Sequence, residues 1–312
     1  MGRRKRESPV HGWLILDKPS GLTSTQAVGR LKRLFGSRKA GHAGTLDPLA
    51  SGCLPVAFGE ATKTVPFVVD GLKSYRFAVK WGVETDTDDS QGAPVATSDK
   101  IPSDSDIDAA LGAFVGEVEQ VPPAYSAVKI DGERAYDLAR DGETVELAPR
   151  VVEILSLERT GPTCDGETEF DCECGKGTYV RAIARDLGRQ LGTHGHIVAL
   201  RRTSVGPFGE EDMISLENLE EVCNEATGQD PVSGDLASTI RPVETALDDI
   251  PALAVNRSDA ARLQNGQPVL LRGRDAPVLT GLVYATTQGK LVALAEADRG
   301  ALHPRRVFNL PG

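Results

Sequence analysis

The first apolar run, Trp13-Leu14-Ile15-Leu16, is stopped by Lys18-Pro19-Ser20-Gly21, which predicts a buried strand ending in a turn. From about Ser24, a residue suited to an N-cap, Val28, Leu31, Leu34 and Phe35 recur at helical spacing and Gly36 suits the C-terminal cap. The other face of this helix carries Arg30 and Arg33, with Lys32 at its margin and Arg38 and Lys39 just beyond. Tyr75, Phe77, Val79 and Trp81 alternate with Arg76, Ala78 and Lys80, the pattern of a half-buried strand, and Phe170, Cys172 and Cys174 alternate in the same way. A helix beginning near Thr178 turns Val180, Ile183, Leu187 and Leu191 inward and sets Arg181, Arg185 and Arg189 four apart along another face.

Strands and helices thus come mixed, without a regular βαβ beat, and the expected class is α+β. Residues 207–250 read as an acidic connector, helical from Leu216 to Val222 and looser around Thr227 to Thr239. After Ile250 the apolar segments become short: Gln267 to Leu271, Val278 to Tyr284, Leu291 to Ala295. Several short strands in so few residues predict a small β-barrel, which divides the chain into residues 1–249 and 250–312.

No run of eighteen apolar residues is present, so no membrane-spanning helix is expected. The basic start Arg3-Arg4-Lys5-Arg6 leads into Glu7-Ser8-Pro9 and not into an apolar stretch, unlike a secretory signal. Five cysteines, an odd count, fit reduced thiols and a cytoplasmic location. The net charge of −10 argues against a polyanionic partner, but its distribution does not. Residues 1–83 hold fourteen Lys or Arg against five Asp or Glu, whereas residues 84–120 and 207–250 hold ten and twelve acids with one base each. Binding to RNA follows the local field over one face, and the basic first quarter supplies such a field.

The stretch from Gly41 to Gly52 surrounds a single carboxylate, Asp47, with glycines, a proline and small residues. Glycine permits close approach and positive φ, and Asp47-Pro48 restricts the backbone at the acid. Composition alone leaves two readings open: a turn-initiating Asp before proline, or a carboxylate presented to a ligand.

Gly44-Thr45-Leu46-Asp47-Pro48, with Gly41-His42 before it and Ser51-Gly52 and Leu54-Pro55 after it, resembles the catalytic motif of the TruB family of pseudouridine synthases. Further segments match in order: Leu16-Asp17-Lys18-Pro19-Ser20-Gly21, Gly59-Glu60-Ala61-Thr62-Lys63, Lys73-Ser74-Tyr75-Arg76, Thr85-Asp86-Thr87-Asp88, Pro123-Ala124-Tyr125-Ser126-Ala127, Gly175 to Arg181, and Leu200-Arg201-Arg202. The resemblance implies a pseudouridine synthase fold, a mixed and largely antiparallel central sheet flanked by helices, with residues 121–150 as a thumb-like insertion that closes over RNA. It implies that Asp47 is the essential carboxylate, Arg181 its ion-pair partner, and Tyr75 an aromatic against the target base that serves in proton removal. His42 would help hold the extruded nucleotide and Leu200 would wall the pocket, with Tyr179 beside them in the Arg181 motif. On residue pattern alone Arg181 is equally an ordinary helix-face arginine and Tyr75 a core aromatic.

The implied reaction breaks the N1–C1′ bond of a uridine in transfer RNA, turns the base and rejoins it through C5, without metal or cofactor. Such a base must be flipped out of its RNA, which calls for phosphate-binding cations. Lys18, Lys63, Arg201 and Arg202 are the candidates, with the helix bearing Arg30, Lys32 and Arg33 along the RNA backbone. The family further implies uridine 55 of the TΨC loop as target, recognition of the T-arm, a monomeric enzyme, and a PUA-like C-terminal domain on the acceptor end, where Arg272, Arg274, Arg305 and Arg306 could meet phosphates. Cys172-x-Cys174 and His194-x-His196 lack the knuckle spacing of a zinc site, and no metal is expected. Two other readings compete: the catalytic subunit of a guide-RNA-dependent particle, and a non-catalytic transfer-RNA-binding or folding protein. The run Pro48-Leu49-Ala50 and the lack of a lysine-rich tail oppose the first, and the joint presence of Asp47, Tyr75 and Arg181 the second.

Overall fold

Trp13, Leu14, Ile15 and Leu16 are all buried, so strand β1 (Gly12–Lys18) is covered on both faces, as its unbroken apolar run requires. This computed structural model describes residues 10–126, 128–130, 132–141, 145–225, 235–271 and 279–311. Helix α1 (Ser24–Leu34) follows β1, and its N-cap is Thr23 rather than Ser24. Thr23 and Gln26 form a reciprocal capping box, with Thr23 Oγ1 accepting from the Gln26 amide at 3.1 Å and Gln26 Oε1 accepting from the Thr23 amide at 3.0 Å. That frees Ser24 for another duty at the site.

Eight further strands and three helices of the larger unit position the site. They are β2 (Ala40–His42), β3 (Ser51–Phe58), β4 (Lys73–Trp81), α2 (Asp104–Leu111), β5 (Gly116–Gln120), β6 (Arg150–Arg159), β7 (Glu167–Cys174), α3 (Val180–Gln190), β8 (Gly195–Val205), and after it β9 (Ile214–Ser215) and α4 (Leu216–Glu225). The sheet runs β9-β1-β3-β8-β4-β7-β6-β5, with β2 also on β3. Its β1–β9 and β3–β8 pairs are parallel and the rest antiparallel, which confirms a mixed α+β fold. Val180, Ile183, Leu187 and Leu191 pack inward from α3 as their spacing predicts. The arginine face of that helix is also buried at Arg181 and Arg185.

The chain ends in a second sheet: β10 (Ala252–Ala254), α5 (Arg257–Gln264), β11 (Val269–Leu270), β12 (Gly281–Thr287), β13 (Lys290–Asp298) and β14 (Ala301–Val307). Its order is β10-β12-β13-β14-β11, an open path among the described residues, where a closed barrel was expected. Leu291, Leu294 and Phe308 share an apolar cluster with Trp13, Ile15 and Ala57, so the two sheets are joined by a common core. Arg272, Arg274 and the central part of the 207–250 connector lie outside the described residues.

Candidate active site

The centre of the large sheet builds the site from paired strand ends. In register, Lys18 on β1 faces Gly52 on β3, Arg202 on β8 faces Gly52 on one side and Tyr75 on the other, and Cys172 on β7 faces Tyr75. Gly52 sits at φ +96°, and a Cβ there would fall 2.2 Å from the Arg202 carbonyl oxygen, so only glycine fits this close crossing.

The loop between β2 and β3 carries Asp47. It is held from below by α1: the Ser24 hydroxyl donates to the Leu46 carbonyl at 3.0 Å and accepts from the Leu46 amide at 2.8 Å. Arg202 fastens it from the sheet, Nε donating to the Cys53 carbonyl at 2.8 Å and Nη2 to the Gly44 carbonyl at 3.1 Å. The Ala50 amide donates to the Asp47 carbonyl at 3.1 Å, a turn across Pro48. Both readings of Asp47 therefore hold together: it begins a tight Asp-Pro turn, and the turn presents its carboxylate.

Arg181, in the first turn of α3, meets that carboxylate. Its Nε lies 2.8 Å from Asp47 Oδ2 and 3.8 Å from Asp89 Oδ2. The Nε–H makes no aligned hydrogen bond, so the contact with Asp47 is an ion pair held by proximity. The rest of the guanidinium is fixed by backbone: Nη1 donates to the Thr87 carbonyl at 2.8 Å and Nη2 to the Tyr125 carbonyl at 2.9 Å. Buried, always charged and donating in a rigid fork, Arg181 keeps the carboxylate beside it oriented.

The acidic segment 84–89 forms a ladder along α3. Arg185 Nη1 lies 3.0 Å from Asp88 Oδ2, and Arg189 Nε donates to Glu84 at 3.1 Å. Burial nevertheless outweighs the Arg185 charge and pushes the Asp88 carboxyl up to about 6. Acids that read as a diffuse negative stretch in the sequence are thus the partners that position α3 and its Arg181.

Asp47, Tyr75, Tyr179, Arg181 and Leu200 line one cavity of about 280 Å³. This lies near the low end for small-molecule sites, roughly 300–1,000 Å³, and suits one nucleoside. Lys73, Lys176 and Arg202 also reach it, so among the described lining residues Asp47 is the one carboxylate beside several cations. Burial pushes the Tyr75 phenol up to about 12, only partly offset by the neighbouring Arg202, so it is neutral at pH 7. The backbone of Tyr179 is clamped by the buried Gln120 amide, which accepts from its N–H at 2.8 Å and donates to its carbonyl at 3.2 Å.

His42, Lys18 and Lys63 do not line the cavity. His42 ends β2, its backbone paired with Val56, two residues before Gly44. The four cations expected at RNA phosphates all have partners within the protein. Lys18 is fully buried and donates to the Leu22 carbonyl at 2.7 Å; burial pushes its ammonium down to about 8, against the pull of nearby Asp47. Lys63 Nζ lies 2.6 Å from Glu60 and donates to the Val307 carbonyl at 2.6 Å, tying β14 to the larger unit. Arg201 grips Asp17 through Nη1 and Nη2 at 2.9 and 3.1 Å, and Arg202 holds the Asp47 loop. Cations at Arg30 and Arg33 on α1 are exposed, as their pattern predicted. Ser24, Lys73, Gln120 and the 84–89 acids escaped sequence reasoning; the only signal for them was their place inside or beside matching segments.

Comparison with known proteins places this geometry. Residues 32–180 match the model described as TruB family pseudouridylate synthase (N terminal domain), and residues 181–248 match that of the tRNA pseudouridylate synthase B C-terminal domain. The junction falls between Val180 and Arg181, so Asp47 and its partner come from the two matched regions. The chain is 64% identical over 309 residues to tRNA pseudouridine synthase B of Rhodopseudomonas palustris, covering 99% of this chain and 84% of that protein. It is 53% identical over 307 residues to the protein of the same name from Rhizobium meliloti, covering 98% of each. Among solved structures, a chain of a Cbf5-Nop10-Gar1 complex superimposes with a TM-score of 0.71 at 28% identity, over 96% of this chain and 85% of that one. A chain of an H/ACA RNP bound to a substrate RNA containing 2′-deoxyuridine gives 0.72 at 25%, over 96% and 86%.

Proposed function

Because the chain belongs to the TruB family of pseudouridylate synthases, we propose that its cavity receives one uridine flipped out of transfer RNA and returns it as pseudouridine. The observation that carries this reading is the Asp47–Arg181 pair at 2.8 Å on the wall of a cavity sized for a nucleoside. The N1–C1′ bond breaks, uracil turns, C5 bonds to C1′, the C5 proton leaves and N1 takes up a proton. Asp47 acts on the ribose; attack at C1′ and formation of a glycal-type intermediate both start from the same aimed carboxylate. A general base works best with a pKa near the operating pH, and a phenol held up to about 12 is poorly matched to that duty. Tyr75 lies against the face of the base, and its burial disfavours a resting phenolate there.

The target is uridine 55 in the T-arm, approached by the basic first quarter of the chain and by the insertion at 121–150. His42 steadies the flipped nucleotide from the mouth of the Asp47 loop. Residues 250–312 form a PUA-like unit that meets the acceptor end, with exposed Arg305 and Arg306 toward phosphates. The enzyme works as a cytoplasmic monomer, without metal or cofactor, consistent with five free cysteines and with no helix among the described residues long and apolar enough to cross a membrane. The guide-RNA reading has the Cbf5 likeness in its favour, but 28% identity there stands against 64% to a tRNA pseudouridine synthase B.

The test uses unmodified transfer RNA labelled with tritium at uridine C5, incubated with the protein and no guide RNA. Release of one tritium per transfer RNA, with the new pseudouridine mapped to position 55, is expected. Absence of release from folded protein overturns the reading.

A further inference from the structure

A buried hydroxyl at the root of the insertion has no partner among the described residues. Ser126 is 4% exposed, lines the cavity, and its Oγ makes no hydrogen bond among the described residues. Buried polar groups are normally satisfied, and one left open at a binding cavity marks a place where a ligand completes it. The residue is held on both sides. Its amide donates to the Ala124 carbonyl at 3.0 Å, and its carbonyl accepts from the Tyr136 amide at 3.0 Å. The preceding carbonyl, that of Tyr125, is the one that accepts from Arg181 Nη2 at 2.9 Å. Ser126 is therefore one residue removed from the guanidinium that aims Asp47, and its position over the cavity is set by that same contact.

Uracil offers a polar edge of O2, N3–H and O4. Isomerisation exchanges N1 with C5 about the line through N3 and C6, so O2 and O4 trade places while N3–H stays put. A serine hydroxyl can donate to either carbonyl oxygen or accept from N3–H, so one hydroxyl meets the same pattern before and after the turn. We propose that the Ser126 hydroxyl hydrogen-bonds the polar edge of the flipped uracil and retains the base while it is detached from the ribose. This rests on the reading that a flipped uridine occupies the cavity.

Ser126→Ala, Ser126→Thr and the wild type are compared on two substrates: C5-tritiated transfer RNA, and the same RNA with the target nucleobase removed. With saturating enzyme, Ser126→Ala should release tritium about tenfold more slowly, the effect of one neutral hydrogen bond, and Ser126→Thr should recover most of the rate. Wild type should bind the intact RNA more tightly than the abasic one, and Ser126→Ala should narrow that preference while keeping its affinity for the abasic RNA. Unchanged release in Ser126→Ala overturns the inference. Equal loss of affinity for both RNAs overturns it too, since that marks Ser126 as a structural part of the insertion. No release from the wild type would instead strike at the reaction itself.

Discussion

The Nε of Arg181 stands 2.8 Å from Oδ2 of Asp47, with the arginine 4% and the aspartate 36% exposed. One partner is locked in the protein and the other opens to the cavity. The same guanidinium ties Thr87 and the insertion at Tyr125, so one side chain joins the carboxylate, the acidic 84–89 segment and the element expected over the RNA.

Arg181→Lys keeps a positive charge but cannot span three partners lying in different directions. Turnover should fall by about a hundredfold, the scale of a displaced catalytic group, while transfer-RNA affinity changes little. Single-turnover tritium release and filter binding on the same preparations separate the two effects. A lysine variant with wild-type turnover would show that charge alone suffices.

Arg202 is buried between two backbone carbonyls, and Arg202→Met leaves both unsatisfied. A loss of about 3 kcal/mol in urea unfolding is expected, with activity falling because Gly44 and the Asp47 loop lose their tether.

Two glycines separate backbone conformation from space. Gly52→Ala meets both φ +96° and the Arg202 carbonyl, whereas Gly21→Ala, at φ +84°, has nothing within 4 Å. The second should cost about 1 kcal/mol and the first clearly more, about 3 kcal/mol, as read by urea midpoints. Equal costs would mean that the crossing of β3 and β8 is looser than described.

Lys18 has a folded pKa pushed down to about 8 by burial, below the value of about 10.4 in an unfolded chain. The folded state thus gives up this proton first, so stability rises as pH climbs from about 8 toward 10 and is lost as pH falls back through 8. The melting temperature of the wild type should gain on that of Lys18→Met between pH 7 and 9.5. Parallel curves would contradict a buried, easily neutralised ammonium beside the Asp47 loop.

The sequence pattern made much of this legible. The capped helix α1, the alternating strand around Tyr75 and the glycine-proline loop around Asp47 are local features, set by periodicity and backbone restriction within a few residues. The duties of cations were not legible, because charge is visible in a sequence and desolvation is not. Arg202 and its acceptors on Gly44 and Cys53 lie about 150 residues apart, and Lys63 reaches the Val307 carbonyl 244 residues away. For the same reason the acids of 84–89 read as a negative stretch until α3 was laid against them. Closure of the predicted barrel is not seen among the described residues; it depends on ladders between distant strands, which short apolar segments do not specify.

The most direct test is Asp47→Asn, which keeps the size of the side chain and removes its charge. Wild type and variant are given transfer RNA tritiated at uridine C5, and release and binding are followed together. The variant should bind the RNA within a few-fold of wild type and release no tritium above background. Turnover retained by Asp47→Asn would contradict the account.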